Sequence, residues 1–74
     1  MFPTYFTWSH AEKFDVNTPV REHQVGVYIA TAGNLTILDR GGNTVTFNSL
    51  AVGAHPILCR QITAAPANTL VLYA

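Results

Sequence analysis

Apolar and polar residues alternate in several short segments of the chain, which is the pattern of half-buried β-strands. Turn sequences rich in Gly, Asn or Pro separate these segments. The predicted strands are residues 24–31, 35–39, 43–48, 57–62 and 69–73, and residues 49–54 are predicted as a connection. Their regular spacing and the near absence of helix signals predict an all-β fold, a small five- to six-stranded antiparallel sandwich or barrel.

The segment around Gly41 and Gly42 predicts a β-hairpin whose register can be derived. A two-residue loop would place apolar residues opposite polar ones on both faces of the hairpin. A three-residue loop, residues 40–42, keeps the apolar residues on one face, and a slip of one residue would move them all to the other face. The apolar pairs are then Ile37 with Val45 and Leu35 with Phe47. Gly42 suits the left-handed conformation that such loops require.

Residues 1–22 differ from the rest and are predicted to form an aromatic-rich N-terminal arm, with residues 23–74 forming a compact β domain. Disordered tails are poor in aromatic residues, so we expect the arm to dock on its own sheet or on a neighbouring subunit. The predicted interface anchors are Phe2, Tyr5, Phe6, Trp8 and Phe14. The spacing from Ser9 to Glu12 also permits a short capped turn, and a plain extended arm is the alternative.

Charged residues make up only 11% of the chain, against about 25% in an average soluble domain. From residue 24 to residue 74 the only charged side chains are Asp39, Arg40 and Arg60. A domain of 74 residues is marginally stable alone, and its single cysteine cannot form an intrachain disulfide. Oligomerisation is therefore the expected source of additional stability, with copies of the chain or a partner covering the uncharged surface.

The charge distribution and hydropathy argue against two classes of partner. The formal net charge is zero, and the four basic residues are scattered along the sequence, so no nucleic-acid partner is predicted. No apolar run approaches the roughly 20 residues of a membrane span, so no membrane partner is predicted. The N-terminal residues lack the order of a signal peptide, which predicts that the protein is made and kept in the cytosol or in something assembled there.

The residues that could carry chemistry do not form a recognised site. His55 and Cys59 are four positions apart, about 13 Å along a strand, which is too far to share a metal ion. Cys59 is expected to be a small core residue. Ser9, His10 and Asp15 supply the residue types of a catalytic triad but lie in the arm rather than on rigid elements. We therefore predict no enzyme activity, no catalytic or metal-binding residues and no cofactor.

The sequence resembles a family of very short bacteriophage virion proteins, which includes spike-base proteins on the heads of tailed phages and gene-transfer particles. Residues 27–37 and 41–47 carry the resemblance, which continues through Leu50, Gly53 and Ile62 to residues 68–72. It covers about residues 24–74. The resemblance implies a small β module on the capsid exterior, without catalytic residues.

These observations predict a non-enzymatic structural protein of the virion that stabilises the shell as a decoration (cement) or spike-base protein. The expected partners are further copies of the chain in a homotrimer or another cyclic oligomer, the major capsid protein, and a spike or fibre protein. A tail, neck or baseplate component is the alternative. A small glycan-binding module is a third hypothesis, with Trp8 and Tyr73 as its candidate platform.

Overall fold

A computed structural model describes residues 7–74 of the chain and shows seven strands, with no helix among these residues. The strands are β1 (His10–Glu12), β2 (Gln24–Ile29), β3 (Gly33–Leu38), β4 (Thr44–Leu50), β5 (Gly53–His55), β6 (Gln61–Ala64) and β7 (Leu70–Tyr73). They form a four-stranded sheet in the order β1-β7-β2-β5 and a three-stranded sheet in the order β4-β3-β6. All pairings are antiparallel, so the all-β prediction is confirmed.

The two sheets share one hydrophobic core, an arrangement compatible with the predicted sandwich. The four-stranded sheet contributes Val27, Ile29, Val71 and Tyr73, and the three-stranded sheet contributes Leu35, Ile37 and Ile62. Burying a side chain of this size contributes about 1.5–3 kcal/mol to stability. The core is small, which agrees with the marginal stability expected for a chain of this length.

The hairpin of β3 and β4 has the register predicted from the sequence. Ile37 lies opposite Val45, and Leu35 lies opposite Phe47. The Asp39 carboxylate closes the loop by accepting the backbone N–H groups of Gly41 and Asn43 at 2.9 and 2.8 Å. The pKa of Asp39 lies below its usual value, mainly because of the bond from the Asn43 backbone.

Replacing Gly42 with Val should destabilise the hairpin. Gly42 has a φ of 89°, which a β-branched residue adopts only with strain, while a Cβ at this position would still be 3.7 Å from its nearest neighbour, Arg60 Nη1. The cost is therefore conformational rather than steric, about 2 kcal/mol, or a fall of roughly 10 °C in Tm.

The variant Gly41→Val is the matched control for this prediction. Gly41 lies in the same loop without a positive φ, and a Cβ there would meet Asp39 Oδ1 at 3.4 Å, an ordinary contact. Its Tm should change little. Thermal unfolding followed by circular dichroism measures both variants, and an unchanged Tm for Gly42→Val would show that the loop tolerates a side chain at this position.

Two predictions about the middle of the chain are wrong. Residues 57–62 were expected to form a strand, but the strand begins only at Gln61, and residues 56–59 are irregular. Residues 49–54 were expected to be a connection, but β4 continues to Leu50 and β5 begins at Gly53. The connection between these two strands is therefore only Ala51-Val52, and it passes from one sheet to the other.

A β-bulge in β2 turns a polar side chain into the interior. Gln24 pairs with Tyr73 and Gly26 pairs with Leu72, so Val25 is the extra residue and the alternation of side chains reverses there. Gln24 is consequently only 2% exposed. Its amide nitrogen donates to the carbonyl oxygens of Gly26 at 3.0 Å and Ile57 at 2.8 Å. Its amide oxygen accepts the backbone N–H of Cys59 at 3.1 Å, which anchors the irregular segment 56–59.

The N-terminal segment closes one side of the molecule. β1 pairs with β7 at the edge of the four-stranded sheet, and Pro19 forms a bridge with Gln61 at the edge of the three-stranded sheet. The Asn17 N–H donates to the Ile62 carbonyl at 2.8 Å, and Phe14 packs against the core between these points. Residues 10–20 therefore join the two sheets. The extended alternative describes residues 10–12 correctly, and the capped turn proposed from Ser9 to Glu12 is wrong.

Candidate functional site

The four edges of the two sheets differ in how they are protected from pairing with other chains. Edge strands usually carry charge, contain Pro, are short or are covered. β1 is short and carries Glu12, β5 is short and precedes Pro56, and β6 has Pro19 beside it. β4 has seven residues, none of them charged and none of them Pro. Among residues 7–74, β4 is the edge with the weakest protection.

The backbone geometry of β4 makes it suitable for adding a strand. The Asp39 N–H donates to the Asn43 carbonyl at 2.8 Å, which fixes the alternation of bonded pairs along the hairpin. By that alternation the N–H and C=O groups of Thr44 and Thr46 point away from β3. Ser49 has a φ of 57° and lies in a bulge near the end of β4. Residues 44–47 of the same strand pair with β3 in regular register. In the sequence, this edge corresponds to the run from Asn43 to Leu50, which contains no charged residue.

The predicted arm anchors lie partly outside the described residues. Phe2, Tyr5 and Phe6 belong to residues 1–6, which the structure does not describe. Trp8 is 41% exposed, so a large aromatic surface is accessible at this point. Phe14 is half-buried and packs against the hydrophobic core. The structure thus gives Phe14 a contact within its own chain and leaves Trp8 accessible to a partner.

A polar and aromatic cluster lies at the β1 edge, where the side chains of His10, Glu12 and Arg21 are 41–60% exposed. The His10 ring stacks on the Tyr73 ring with centroids 5.4 Å apart and an interplanar angle of 18°. The Arg21 guanidinium carbon lies 4.5 Å from the centre of the same ring. Arg21 also pairs with Glu12, whose carboxylate is 3.2 Å from His10 Nε2. Tyr73 is buried rather than available at the surface, so it cannot act as half of the glycan platform suggested by the sequence.

Ser9, His10 and Asp15 are not arranged as a catalytic triad. His10 Nε2 contacts Glu12 rather than Asp15, and Ser9 Oγ lies 3.4 Å from His10 Nδ1. The Ser9 hydroxyl also donates to the Tyr73 carbonyl at 3.5 Å. Because Glu12 shares its charge with Arg21, it is not reserved for orienting the imidazole. We interpret this group as a closure of the β1 edge.

His55 and Cys59 occupy separate environments. His55 Nε2 is 2.7 Å from the Ala51 carbonyl oxygen, at the start of the short connection to β5. Cys59 is 1% exposed and belongs to the core, as predicted. Burial raises the pKa of the Cys59 thiol to about 11, which keeps it protonated at neutral pH. Residues 7–74 contain no group of three or more His, Cys, Asp or Glu side chains that could hold a metal ion.

The basic residues are not scattered in space, contrary to the sequence interpretation. Arg21, Arg40 and Arg60 line one groove of about 470 Å³. They are three of the four Lys and Arg residues in the chain, the fourth being Lys13. Positions 21, 40 and 60 come together because residues 19–21, the β3–β4 loop and the segment before β6 meet at one end of the molecule. No local sequence signal marks this arrangement.

No family model, curated protein or solved structure matches the chain. Within residues 7–74, no helix has the length and hydropathy needed to cross a bilayer.

Proposed function

We propose that the protein is a non-enzymatic structural subunit of a bacteriophage virion. In this proposal it forms a homotrimer or another cyclic oligomer on the capsid exterior, assembled in the host cytoplasm, and binds the major capsid protein as a decoration or spike-base protein. A spike or fibre protein docking on top is a further partner. Each subunit is a small sandwich whose uncharged surface is covered in the assembly.

The observation that carries this proposal is the edge of β4 that faces away from β3, along which no strand of residues 7–74 pairs. A strand of seven uncharged residues with outward N–H and C=O groups is a template for pairing with another chain. Val52 in the neighbouring connection is 58% exposed, which adds apolar surface close to the end of this strand. In a protein that stays monomeric, a charged residue or Pro in β4 would protect this edge from pairing with other chains. A subunit that pairs β4 with a neighbouring copy needs the edge as it is, and the low overall charge supports the same interpretation.

Replacing Thr46 with Pro should prevent assembly. Pro lacks the N–H that Thr46 directs away from β3, so a pairing bond to a neighbour is lost while the β3–β4 ladder keeps its own bonds. We expect the wild-type protein to be a cyclic oligomer and the variant to be a folded monomer. Light scattering on a size-exclusion column measures the mass of each.

The variant Thr46→Val is the matched control. It loses the 3.1 Å hydrogen bond between the Thr36 and Thr46 hydroxyls, as the Pro variant does, but keeps the backbone N–H. It should therefore assemble like the wild type. Two results would contradict assembly through β4. One is a wild-type protein that stays monomeric at high concentration, and the other is an oligomer that persists in Thr46→Pro.

The virion role needs a separate measurement. The protein should co-sediment with shells assembled from the major capsid protein encoded in the same genome, and shells carrying it should resist heat better than bare shells. Binding to tails or baseplates but not to heads would favour the alternative, a tail, neck or baseplate component. Failure to associate with any purified particle would contradict a virion function.

A further inference from the structure

The groove that contains three arginine side chains has a charge unlike that of the whole chain. Arg21, Arg40 and Arg60 contribute three positive charges and Glu22 contributes one negative charge, so its charged lining sums to 3 − 1 = +2 with His23 neutral. The chain as a whole has a formal net charge of zero. The buried Cys59 thiol also lines the groove and stays protonated at neutral pH, so it does not offset this charge.

Two of the three guanidinium groups are not neutralised by a carboxylate. Arg21 pairs with Glu12. Arg40 donates to the neutral carbonyl oxygen of Gln24 at 3.3 Å, and within residues 7–74 neither Arg40 nor Arg60 forms an ion pair. Each guanidinium has five N–H donors, so both retain donors for a ligand.

The backbone around Arg60 holds it in place. The Arg60 N–H donates to the Leu38 carbonyl and the Arg60 carbonyl accepts the Val20 N–H, both at 2.8 Å. Arg40 begins the three-residue loop that Asp39 closes, and its guanidinium is tied to the backbone of β2 through Gln24. Because the backbone segments that carry Arg40 and Arg60 are already fixed, both guanidinium groups can bind the same anion with little loss of conformational entropy.

We propose that this groove binds a phosphate group of a small molecule, with Arg40 and Arg60 as its principal ligands and Arg21 at its margin. Guanidinium groups match the oxygens of phosphate through paired N–H donors. A phosphate monoester carries about −1.5 to −2 at neutral pH, which the two unpaired guanidinium groups of Arg40 and Arg60 would offset. The groove is open to solvent and has room for more than one phosphate group, so pyrophosphate or a phosphomonoester can make contacts that inorganic phosphate cannot.

Titration of the full chain with three probes tests this proposal. Inorganic phosphate, pyrophosphate and phenyl phosphate are added at constant ionic strength, and binding is followed by amide NMR shifts and calorimetry. We expect one saturable site for pyrophosphate or phenyl phosphate, with Kd below about 1 mM and shifts centred on Arg40 and Arg60. Tighter binding of pyrophosphate would indicate that the natural ligand is a free anion, and tighter binding of phenyl phosphate would indicate a phosphorylated small molecule. The absence of saturation for all three probes would overturn the proposal.

Charge-matched variants locate the site. Arg60→Gln and Arg40→Gln should each weaken binding about tenfold, whereas Lys13→Gln, which removes the one cation outside the groove, should not. Glu22→Gln should strengthen it. Arg40→Gln also removes a bond to Gln24, so Arg60→Gln decides the outcome if Arg40→Gln fails to fold. Equal weakening by Lys13→Gln would show a non-specific charge effect and contradict the site.

A single-stranded oligonucleotide serves as the competing ligand. A phosphate-group site should bind it no more tightly than pyrophosphate, with a shallow dependence on salt. Tighter binding, with affinity falling steeply as salt concentration rises, would indicate a nucleic-acid surface and overturn the proposed ligand class. These measurements do not depend on the oligomeric state, so they remain decisive if the virion proposal fails.

Discussion

Deleting residues 1–18 is expected to unfold the domain. The deletion removes β1, which pairs with β7 along three residues, and the bond from the Asn17 N–H to Ile62. It also removes Phe14, which is half-buried against the core. Full burial of a side chain of this kind contributes about 1.5–3 kcal/mol, so Phe14 contributes about half of that. A domain of this size has a total stability of roughly 4–11 kcal/mol, so the combined loss is comparable with the whole. Far-UV circular dichroism and thermal unfolding measure the result.

Deleting only residues 2–8 separates the two roles of the N-terminal segment. This shorter deletion removes the predicted anchors Phe2, Tyr5, Phe6 and Trp8 but keeps β1 and Phe14. We expect a folded protein whose assembly, measured by light scattering, is weakened. A folded 1–18 deletion would contradict the structural role of β1. Unfolding of the 2–8 deletion would show that these aromatic residues serve the fold of their own chain rather than a partner.

Replacing Gln24 with Met should lower the free energy of unfolding by about 3 kcal/mol or more. Three backbone groups lose their partner, namely the carbonyls of Gly26 and Ile57 and the N–H of Cys59. A buried polar group left unsatisfied costs about 1–3 kcal/mol, and Met has the length of Gln without its donors and acceptor. The corresponding fall in Tm is roughly 12–24 °C, measured by thermal unfolding.

Gln61→Met is the control for this prediction. Gln61 is half-buried in β6, and its side chain makes no hydrogen bond within residues 7–74. Its replacement should change Tm by a few degrees at most. Equal effects of the two substitutions would show that the amide of Gln24 is not what anchors residues 56–59.

The sequence predicted the structure best where the local turn signal and the alternation of apolar residues favour the same strand register. The hairpin register followed from the alternation of Leu35 and Ile37 with Thr36, and from the glycine that its loop requires. The error at residues 57–62 has the opposite cause. Ile57 and Cys59 alternate like strand residues, yet the backbone beside them bonds to the Gln24 side chain instead of a neighbouring strand. A bulge reverses the facing of side chains, and its local sequence signal is Gly26, an isolated glycine inside the strand pattern, which marks a bulge without showing which residue is the extra one.

The grouping of the cations was beyond the reach of the sequence for a different reason. Arg21, Arg40 and Arg60 are about twenty positions apart, and only the crossing of the chain between the two sheets brings them to one groove. Charge counts along the sequence describe average surface composition. They carry no information on which distant loops meet, because that depends on topology. The concentration of aromatic residues in the N-terminal segment is visible in the sequence, whereas the contact of Phe14 with the core of its own chain is not.

The pairing of β1 with β7 joins residues as far apart in the sequence as His10 and Tyr73, and this separation sets an order of events during folding. The β3–β4 hairpin pairs residues that are close in the sequence and can form early. The four-stranded sheet cannot close until residues 70–73 have reached β1 and β2, and such non-local pairings form slowly. A chain whose hairpin has formed while the four-stranded sheet is still open exposes the edge of β4 and the apolar core residues together. Incompletely folded chains with both surfaces exposed are the ones that aggregate.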